Sequence, residues 1–294
     1  MTQFLKLLYI GLGEGSIYAM LGLGLVVIYR ATGLLNFAQG EMAMASTFFV
    51  STFHSWGLPI ALALLAGVVT GFGFGALVHQ VVVRPLGNPR DKPLAMLIVT
   101  LGLYLGLDAG VRLIWGSDGR ILPELFGTGS VSILGAPVTW QRLGALLVLA
   151  IEVVVFWLLF KKTKIGLAMR AVASNAESSE LVGIPISRVR MVGWGLSAAL
   201  GAVAGTFTAP GQGLDANLMV LPLVYAFAAI TLGGFDSLVG AVVGGLLIGV
   251  VKDVVPNYLH FFGGLELGPV FLLILLILLV RPQGLFGRRS ATRV

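Results

Sequence analysis

The sequence lacks cysteine altogether, and only 11% of its residues are charged, against about 25% in soluble proteins. Without cysteine there is no disulfide framework, thiolate nucleophile or cysteine-ligated metal. The histidines, His54, His79 and His260, lie far apart without metal-ligand spacing, so the sequence predicts no metal site. The scarcity of charge excludes an ordinary soluble domain, because too few polar residues remain to cover its surface.

Motifs for catalysis and nucleotide binding are missing as well. No lysine stands in a G-x-x-x-x-G-K-[ST] phosphate loop, and no H-E-x-x-H or G-x-S-x-G arrangement occurs. The sequence therefore predicts a chain that is not itself an enzyme and that holds no cofactor of its own. Intrinsic disorder is excluded too, because 17 Phe and 5 Trp are the opposite of a disordered composition.

Apolar residues are in excess, at 57% of 294 residues. A helix needs about 20 mostly apolar residues to cross a membrane. Nine segments fit or approach this length: 7–29, 37–53, 58–83, 93–115, 140–160, 189–209, 219–234, 238–255 and 267–280. Because 37–53 and 219–234 are short or carry polar residues, the count falls to eight if one of them does not span. The predicted fold class is an all-α polytopic membrane protein, a bundle of eight to nine transmembrane segments including short or broken helices. The bundle forms one domain over residues 1–294.

The net charge is +6, and the positions of the basic residues along the chain predict the orientation of this bundle. Cytoplasmic loops of membrane proteins carry the excess of lysine and arginine. Basic residues cluster at three places: Arg84, Arg90 and Lys92, then the loop 161–190, then Arg281, Arg288, Arg289 and Arg293 in the tail. The connections at 211–220 and 256–266 have none. We therefore expect the N-terminus outside and the C-terminus in the cytoplasm, with no nucleic-acid partner needed to explain the charge.

Two further patterns concern packing and loops. Among 41 glycines, several lie inside the apolar segments at a spacing of four, which places them on one helix face: 67/71/75, 201/205, 240/244 and 245/249. Small residues on one face allow close helix packing in lipid, so these glycines predict a compact bundle. The loop 116–139 combines glycines with alternating Val131 and Ile133, and it predicts a small external hairpin-like element.

Charges inside the predicted spans are costly and each needs a reason. Asp108 and Arg112 are four residues apart on a helix, so an ion pair between them is expected. Glu14 and Glu152 could each hydrogen-bond across helices or line a transport path, and the sequence leaves both interpretations open.

The densest polar cluster contains Asn36, Gln39 and Glu41. Asn36 could cap a helix that has acidic Glu41 in its first turns. The cluster could equally form a polar entry to a central channel. From the residues alone these two interpretations are equally supported. Together with Glu14, the three residues are the candidate lining of a translocation path.

The cytoplasmic loop 161–190 differs from the other loops, because its middle is helix-prone rather than rich in glycine. A short helix that stops at Gly183 and Pro185 would present a docking surface to a cytoplasmic protein. The alternative is a surface helix whose basic end lies on anionic membrane lipid.

Four motifs in order along the chain resemble a known family. They are 15–19 (GSIYA), 33–41 (GLLNFAQGE), the segment 166–184, and 232–241 (LGGFDSLVGA), and the ending 280–287 also fits. Over essentially its whole length the chain resembles the H-chain permeases of bacterial branched-chain amino-acid importers of the ABC class. Two positions depart from the family pattern: Gln39 stands where relatives often carry His, and Ser179 where they often carry Ala.

The resemblance implies a multi-pass permease subunit of the bacterial cytoplasmic (inner) membrane that works by alternating access. Its implied partners are a second homologous permease, two cytoplasmic ATPases that bind ATP and Mg, and an extracytoplasmic substrate-binding protein. The loop 161–190 would then be the coupling loop, with six residues to contact the ATPase or shape the loop: Gly166, Arg170, Ala171, Asn175, Leu181 and Gly183.

The implied substrates are branched-chain or other hydrophobic amino acids, although the family also includes importers of urea, short amides and aromatic acids. Two other classes remain as alternatives. One is a stand-alone secondary transporter coupled to an ion gradient through Glu14, Glu41 or Glu152. The other is a structural scaffold that transports nothing.

Overall fold

The computed structural model describes residues 2–87, 91–262 and 264–287, and these residues are mostly helical. The helices are α1 (Thr2–Thr32), α2 (Gln39–Ser55), α3 (Ile60–Val78), α4 (Pro93–Trp115), α5 (Trp140–Lys162), α6 (Lys164–Ser174), α7 (Ala176–Leu181), α8 (Ile186–Gln212), α9 (Val220–Gly233), α10 (Leu238–Tyr258) and α11 (Leu267–Val280). Two strands, β1 (Ser130–Ile133) and β2 (Ala136–Thr139), lie between α4 and α5. The basic residues Arg90, Arg288, Arg289 and Arg293, used above to predict orientation, lie outside the described residues.

Each of the nine predicted segments corresponds to one helix. Within the described ranges, six helices are long and apolar enough to cross a membrane: α1, α3 with its extension to Leu86, α4, α5, α8 and α10. The other three are shorter, with 17 residues in α2 and 14 each in α9 and α11. The polytopic helical class is confirmed. The predicted count of eight to nine full spans is not confirmed. The orientation of the termini stays a prediction.

The bounds of α4 follow from local chemistry. The helix begins at Pro93, whose fixed φ and missing N–H suit the first helical position. It ends before Gly116, which has a φ of 86° and stops the helix in a conformation that other residues adopt only with strain. Inside it, the predicted ion pair is confirmed, with Arg112 Nε 3.0 Å from Asp108 Oδ2.

The end of α3 is not an ordinary helix terminus. The chain continues as a π-helix over His79–Val83 and then as a 3-10 helix over Arg84–Leu86. The backbone N–H of Arg84 donates to the carbonyl of His79, five residues earlier. A π-helical hydrogen bond spans one residue more than an α-helical one, so the side chains after His79 are rotated relative to those of α3.

The chain divides into two compact units. Unit 1 comprises the described residues up to Val26, Phe126–Leu149 and those from Pro222 onward. In it, α1 packs on α10 through glycines: a Cβ at Gly11 would lie 2.7 Å from the carbonyl oxygen of Gly249, and one at Gly245 would lie 2.7 Å from Cα of Ala19. The close packing predicted from the glycine spacing is confirmed here.

Unit 2 comprises Val27–Leu125 and Ala150–Leu221. Its centre is α2, which is buried along most of its length between α3 and α8. Pairs of small residues follow one another every four residues along the contact of α2 with α8: Ala43 lies against Gly201, and Thr47 against Gly205. The spacing-four glycines of α3 pack in the same way, with Gly71 against Ser46 and Ala198. Unit 2 therefore holds α2 by close backbone contact, with no room for larger side chains.

The segment 116–139 contains an antiparallel hairpin in which Ile133 pairs with Ala136 and Ser130 with Thr139. Its turn residues Leu134 and Gly135 have φ angles of 51° and 82°, as a type I′ turn requires. The external position of this hairpin stays a prediction.

Candidate translocation path and coupling loop

Asn36 lies in the turn between α1 and α2 and is 1% exposed. Its side-chain Oδ1 accepts a hydrogen bond of 3.1 Å from the N–H of Ala38, and its Nδ2 lies 3.4 Å from the sulfur of Met42. The N-cap residue of α2 is Ala38, with no side-chain cap. The expectation that Asn36 caps α2 is therefore wrong, because Asn36 instead closes an Asx turn that leads into the helix.

Gln39 is fully buried, and its amide is engaged by a single residue of α8. Nε2 donates to the carbonyl of Ser197 at 3.1 Å, and Oε1 accepts from the Ser197 hydroxyl at 2.6 Å. The pair Gln39–Ser197 lies one helical turn before the contact of Ala43 with Gly201. It therefore extends the series of small-residue contacts between α2 and α8 by a polar contact. Gln39 thus connects α2 to α8, and its neighbour Gly40 is buried as well.

Glu41 and Glu152 are buried carboxylates that lack part or all of their hydrogen bonding. Glu41 is 2% exposed, and its Oε2 has no hydrogen-bond partner among the described residues. Glu152 in α5 is 8% exposed, and both its carboxylate oxygens lack partners within the same part of the chain. A buried carboxylate without a partner is costly, and in membranes such residues mark paths or interfaces.

Glu14 lies in unit 1 and forms an ion pair with Lys252 of α10. Tyr18, one turn further along α1, donates a hydrogen bond of 3.1 Å to the same carboxylate. The Lys252 ammonium also lies 3.5 Å from Asp253 and 5.6 Å from the centre of the Tyr225 ring. The contact across helices expected for Glu14 is therefore confirmed, and its place on a translocation path stays a prediction.

Sequence reasoning missed Lys252 and Asp253, although both lie inside the predicted span 238–255. The available signal was simple, because Lys252 is a lysine within an apolar segment, where a cation needs a partner. The partner was not predictable from spacing, because Glu14 precedes Lys252 by 238 residues. Tyr18 and Tyr225 stack beside this pair with ring centres 4.8 Å apart.

The loop 161–190 folds into two short helices, α6 and α7, rather than one. Thr163 caps α6, since its hydroxyl accepts from the N–H of Gly166 at 3.0 Å. Asn175 ends α6 and caps α7, with Oδ1 accepting from the N–H of Ser178 at 3.0 Å. Asparagine is a preferred N-cap residue, so Asn175 was a sequence signal for this second start. Gly183, with a φ of 84°, follows α7 as expected for a residue that ends a helix.

The two faces of α6 differ. Met169 and Val172 are buried, at 1% and 0% exposure, and α6 contacts α8. Arg170 is exposed and Ala171 half-buried on the same helix. Gly166 is buried, because its Cα approaches the backbone of α5 so closely that a Cβ would overlap the carbonyl of Leu159.

The tip after α7 presents apolar side chains to the surroundings. Leu181 is 88% exposed and Val182 76% exposed, next to Gly183. Exposed apolar side chains on an otherwise polar loop are typical of a protein contact. Of the six coupling-loop candidates, the structure brings Arg170, Asn175, Leu181 and Gly183 to the surface, while Ala171 is half-buried and Gly166 is enclosed.

Six membrane-length helices, buried intramembrane charges and a structured polar loop define a polytopic membrane transport component. More specifically, the chain belongs to the family of branched-chain amino acid transport system permease components, whose family model matches residues 7–280. It is a multi-pass membrane protein.

Curated relatives match over the whole chain. The chain is 30% identical to the high-affinity branched-chain amino acid transport system permease protein LivH of Salmonella typhimurium, over 99% of this chain and 98% of that protein. It is also 30% identical to the corresponding permease BraD of Pseudomonas aeruginosa, with the same coverage. A more distant relative is the galactofuranose transporter permease YtfT of Escherichia coli, at 30% identity over 81% of this chain and 68% of that protein.

Proposed function

We propose that this chain is the permease subunit of an ATP-driven importer that moves branched-chain or other hydrophobic amino acids into the cell by alternating access. The importer would contain a second homologous permease, two cytoplasmic ATPases that bind ATP and Mg, and an extracytoplasmic substrate-binding protein. The observation that carries the proposal is the family match over residues 7–280. Two relatives named as branched-chain amino acid permeases, aligned with nearly the full chain, support the substrate class.

A partner ATPase is needed because the sequence contains no phosphate-binding loop of its own. We assign the ATPase contact to the coupling loop 161–190. Among the residues exposed there, Arg170 offers a positive contact and Leu181 and Val182 offer apolar contacts. Met169 and Val172 are buried on α6, and α6 contacts α8, so a displacement of the loop would move α8.

The path through unit 2 would pass the carboxylates that still lack partners, Glu41 and Glu152. Asn36, Gln39 and Glu14 remain candidates for this path; the polar atoms of Gln39 and Asn36 are engaged by Ser197, Ala38 and Met42.

The test is reconstitution of this chain with candidate ATPases, a candidate second permease and a candidate binding protein of the same organism, followed by uptake of labelled leucine. We expect uptake that requires ATP and the binding protein. Arg170→Glu should abolish the stimulation of ATP hydrolysis by substrate, and Lys92→Glu, an exposed cation outside the coupling loop, is the matched control. Melting temperature should be unchanged in both variants.

Two outcomes would count against the proposal. Substrate-stimulated hydrolysis that survives Arg170→Glu would contradict the assignment of the coupling loop. Uptake by the isolated chain, driven by an ion gradient and lost in Glu41→Gln, would instead support a stand-alone secondary transporter.

A further inference from the structure

One face of α4 is not covered by the part of the chain that the structure describes. Of the six membrane-length helices, α4 is the least buried, because 17% of its most apolar stretch is enclosed, against 28% to 78% in the other five. α4 contacts α2 and buries Met96, Thr100 and Val111. Its opposite side is exposed. We call that side the open face of α4 and define it by five residues: Ile98, Gly102, Leu105, Gly106 and Ala109.

The open face carries glycines that make no contact. Gly102, Gly106 and Gly110 follow one another every four residues, and a Cβ added to any of them would meet no described atom within 4 Å. The other glycine sets at this spacing are all packed, since a Cβ at 67/71/75, 201/205, 240/244 or 245/249 would meet a neighbouring atom within 3.0 Å. Glycine weakens a helix relative to alanine, and lipid offers nothing in return. Such a set instead allows the backbone of another helix to approach closely.

The ion pair of α4 provides an independent observation. Asp108 and Arg112 lie along one edge of the open face, and their side chains remain 30% and 38% exposed, although Arg112 also donates to Asn217 at 3.4 Å. A helix of 23 residues is about 35 Å long, against about 30 Å for the hydrocarbon layer. Asp108 precedes the last residue of α4 by seven, or about 10 Å, so it lies within that layer. Charge facing lipid at this depth is costly, so the edge calls for a polar neighbour.

We propose that the open face of α4 is the surface on which the second homologous permease packs, through its own equivalent of α4. Two homologous chains related by a two-fold axis present the same patch to each other. The glycines let the two backbones cross closely. Asp108 and Arg112 are one helical turn apart on one edge, so crossing helices bring the acid of one chain within reach of the base of the other.

The charge pattern specifies the chemistry of the partner. A lipid tail would leave the ion pair facing hydrocarbon and the glycines without a close neighbour. The partner helix must therefore carry small residues at a spacing of four and an acidic and a basic residue one turn apart beside them. This inference rests on the proposed function, which places a second homologous permease beside this chain, and it assigns the helix that meets it.

The test is photo-crosslinking in native membranes. The full chain carries p-benzoylphenylalanine in place of Leu105, which is 68% exposed on the open face, and is co-expressed with a tagged candidate second permease of the same organism. We expect a product with the combined mass of the two chains that carries the tag. Leu65 of α3, 62% exposed, is the matched control position, and its yield of this product should be at least tenfold lower.

Two variants test the glycines and the charges separately. Gly106→Leu should reduce capture of this chain by the tagged permease at least fivefold, whereas Gly73→Leu on α3, where a Cβ also meets open space, should not reduce it. The exchange D108R/R112D keeps an ion pair within α4 but sets like charges against the partner, and it should reduce capture at least fivefold. The isolated variant chains should melt no lower than the wild type.

Equal yields at positions 105 and 65, a product that contains a second copy of this chain instead of the tagged permease, or capture that Gly106→Leu leaves intact overturns the inference. Leucine uptake by the reconstituted importer is scored separately. Uptake without the crosslink at position 105 overturns the α4 interface alone. The crosslink without amino-acid uptake in any reconstitution overturns the proposed function alone.

Discussion

The contact between Gln39 and Ser197 allows a quantitative test of whether the polar cluster at the start of α2 is structural. Ser197→Ala removes the hydroxyl that donates to Gln39 Oε1 at 2.6 Å and leaves that buried oxygen without a partner. Leaving a buried acceptor unsatisfied costs about 1–3 kcal/mol. Gln39→Leu should cost a similar amount, because the buried Ser197 hydroxyl then loses its acceptor.

The double variant should cost less than the sum of the two single variants, because it removes both partners of the side-chain hydrogen bond. Hydrogen bonds between helices in membranes contribute about 0.6 kcal/mol on average and about 1.7 at most in such double-mutant cycles. With its short distance and complete burial, this pair should give a coupling energy in the upper half of that range. The assay is the free energy of unfolding in mixed micelles, measured by titration with SDS.

Ser16→Ala is the matched control. Ser16 is also fully buried, but its hydroxyl donates only to the carbonyl of Gly13 in its own helix. Loss of this hydroxyl leaves no other side chain without a hydrogen-bond partner. We therefore expect Ser16→Ala to lower the free energy of unfolding by less than about 0.5 kcal/mol and to show no coupling to Gln39→Leu. The structural interpretation of Gln39 is refuted if Ser197→Ala costs no more than Ser16→Ala, or if both pairs show the same coupling.

Three further predictions concern glycine packing and buried charge. Gly205→Val should prevent stable folding, because even a Cβ at this position overlaps a threonine hydroxyl of α2. Gly106→Ala is the control: its Cβ would point into open space, so the melting temperature should be unchanged or higher. Lys252→Gln removes the charged partner of Glu14 and should lower the free energy of unfolding by about 1.5–3 kcal/mol. Lys252→Arg should recover most of this loss. Equal melting temperatures of the two variants would contradict the prediction. Gly166→Ala should abolish substrate-stimulated ATP hydrolysis by displacing α6 from α5, with helix content by circular dichroism unchanged; retained stimulation would show that the loop tolerates the shift.

The positions of the helices were predictable to within about five residues, and the packing faces were predictable too, because both depend on local composition. The predicted segment 93–115 coincides with α4, since Pro93 and Gly116 mark its ends. Glycines at a spacing of four have few uses inside an apolar helix besides close packing, so the pattern implied a close helix contact at Gly201, which the structure shows to be with Ala43. Only the identity of the partner helix required the structure.

The candidate site was predictable as a set of residues but not in its roles. Gln39 was a candidate for the path, yet a polar side chain in a helix can face a channel or a neighbouring helix, and the spacing does not distinguish them. The pairing of Glu14 with Lys252 depends on contact between distant segments. The break between α6 and α7 was signalled by Asn175, whereas the segment His79–Val83 carries no sequence mark of its π-helical turn.

The π-helical turn also has a consequence for comparing this chain with its relatives. One residue corresponds to about 100° of rotation around a helix of 3.6 residues per turn. A relative with one residue fewer between positions 79 and 83 would continue α3 as a regular helix and turn its equivalent of Arg84 away from α7 by that angle. The length of this segment in a relative therefore indicates whether its equivalent of Arg84 points in the same direction as Arg84 does here.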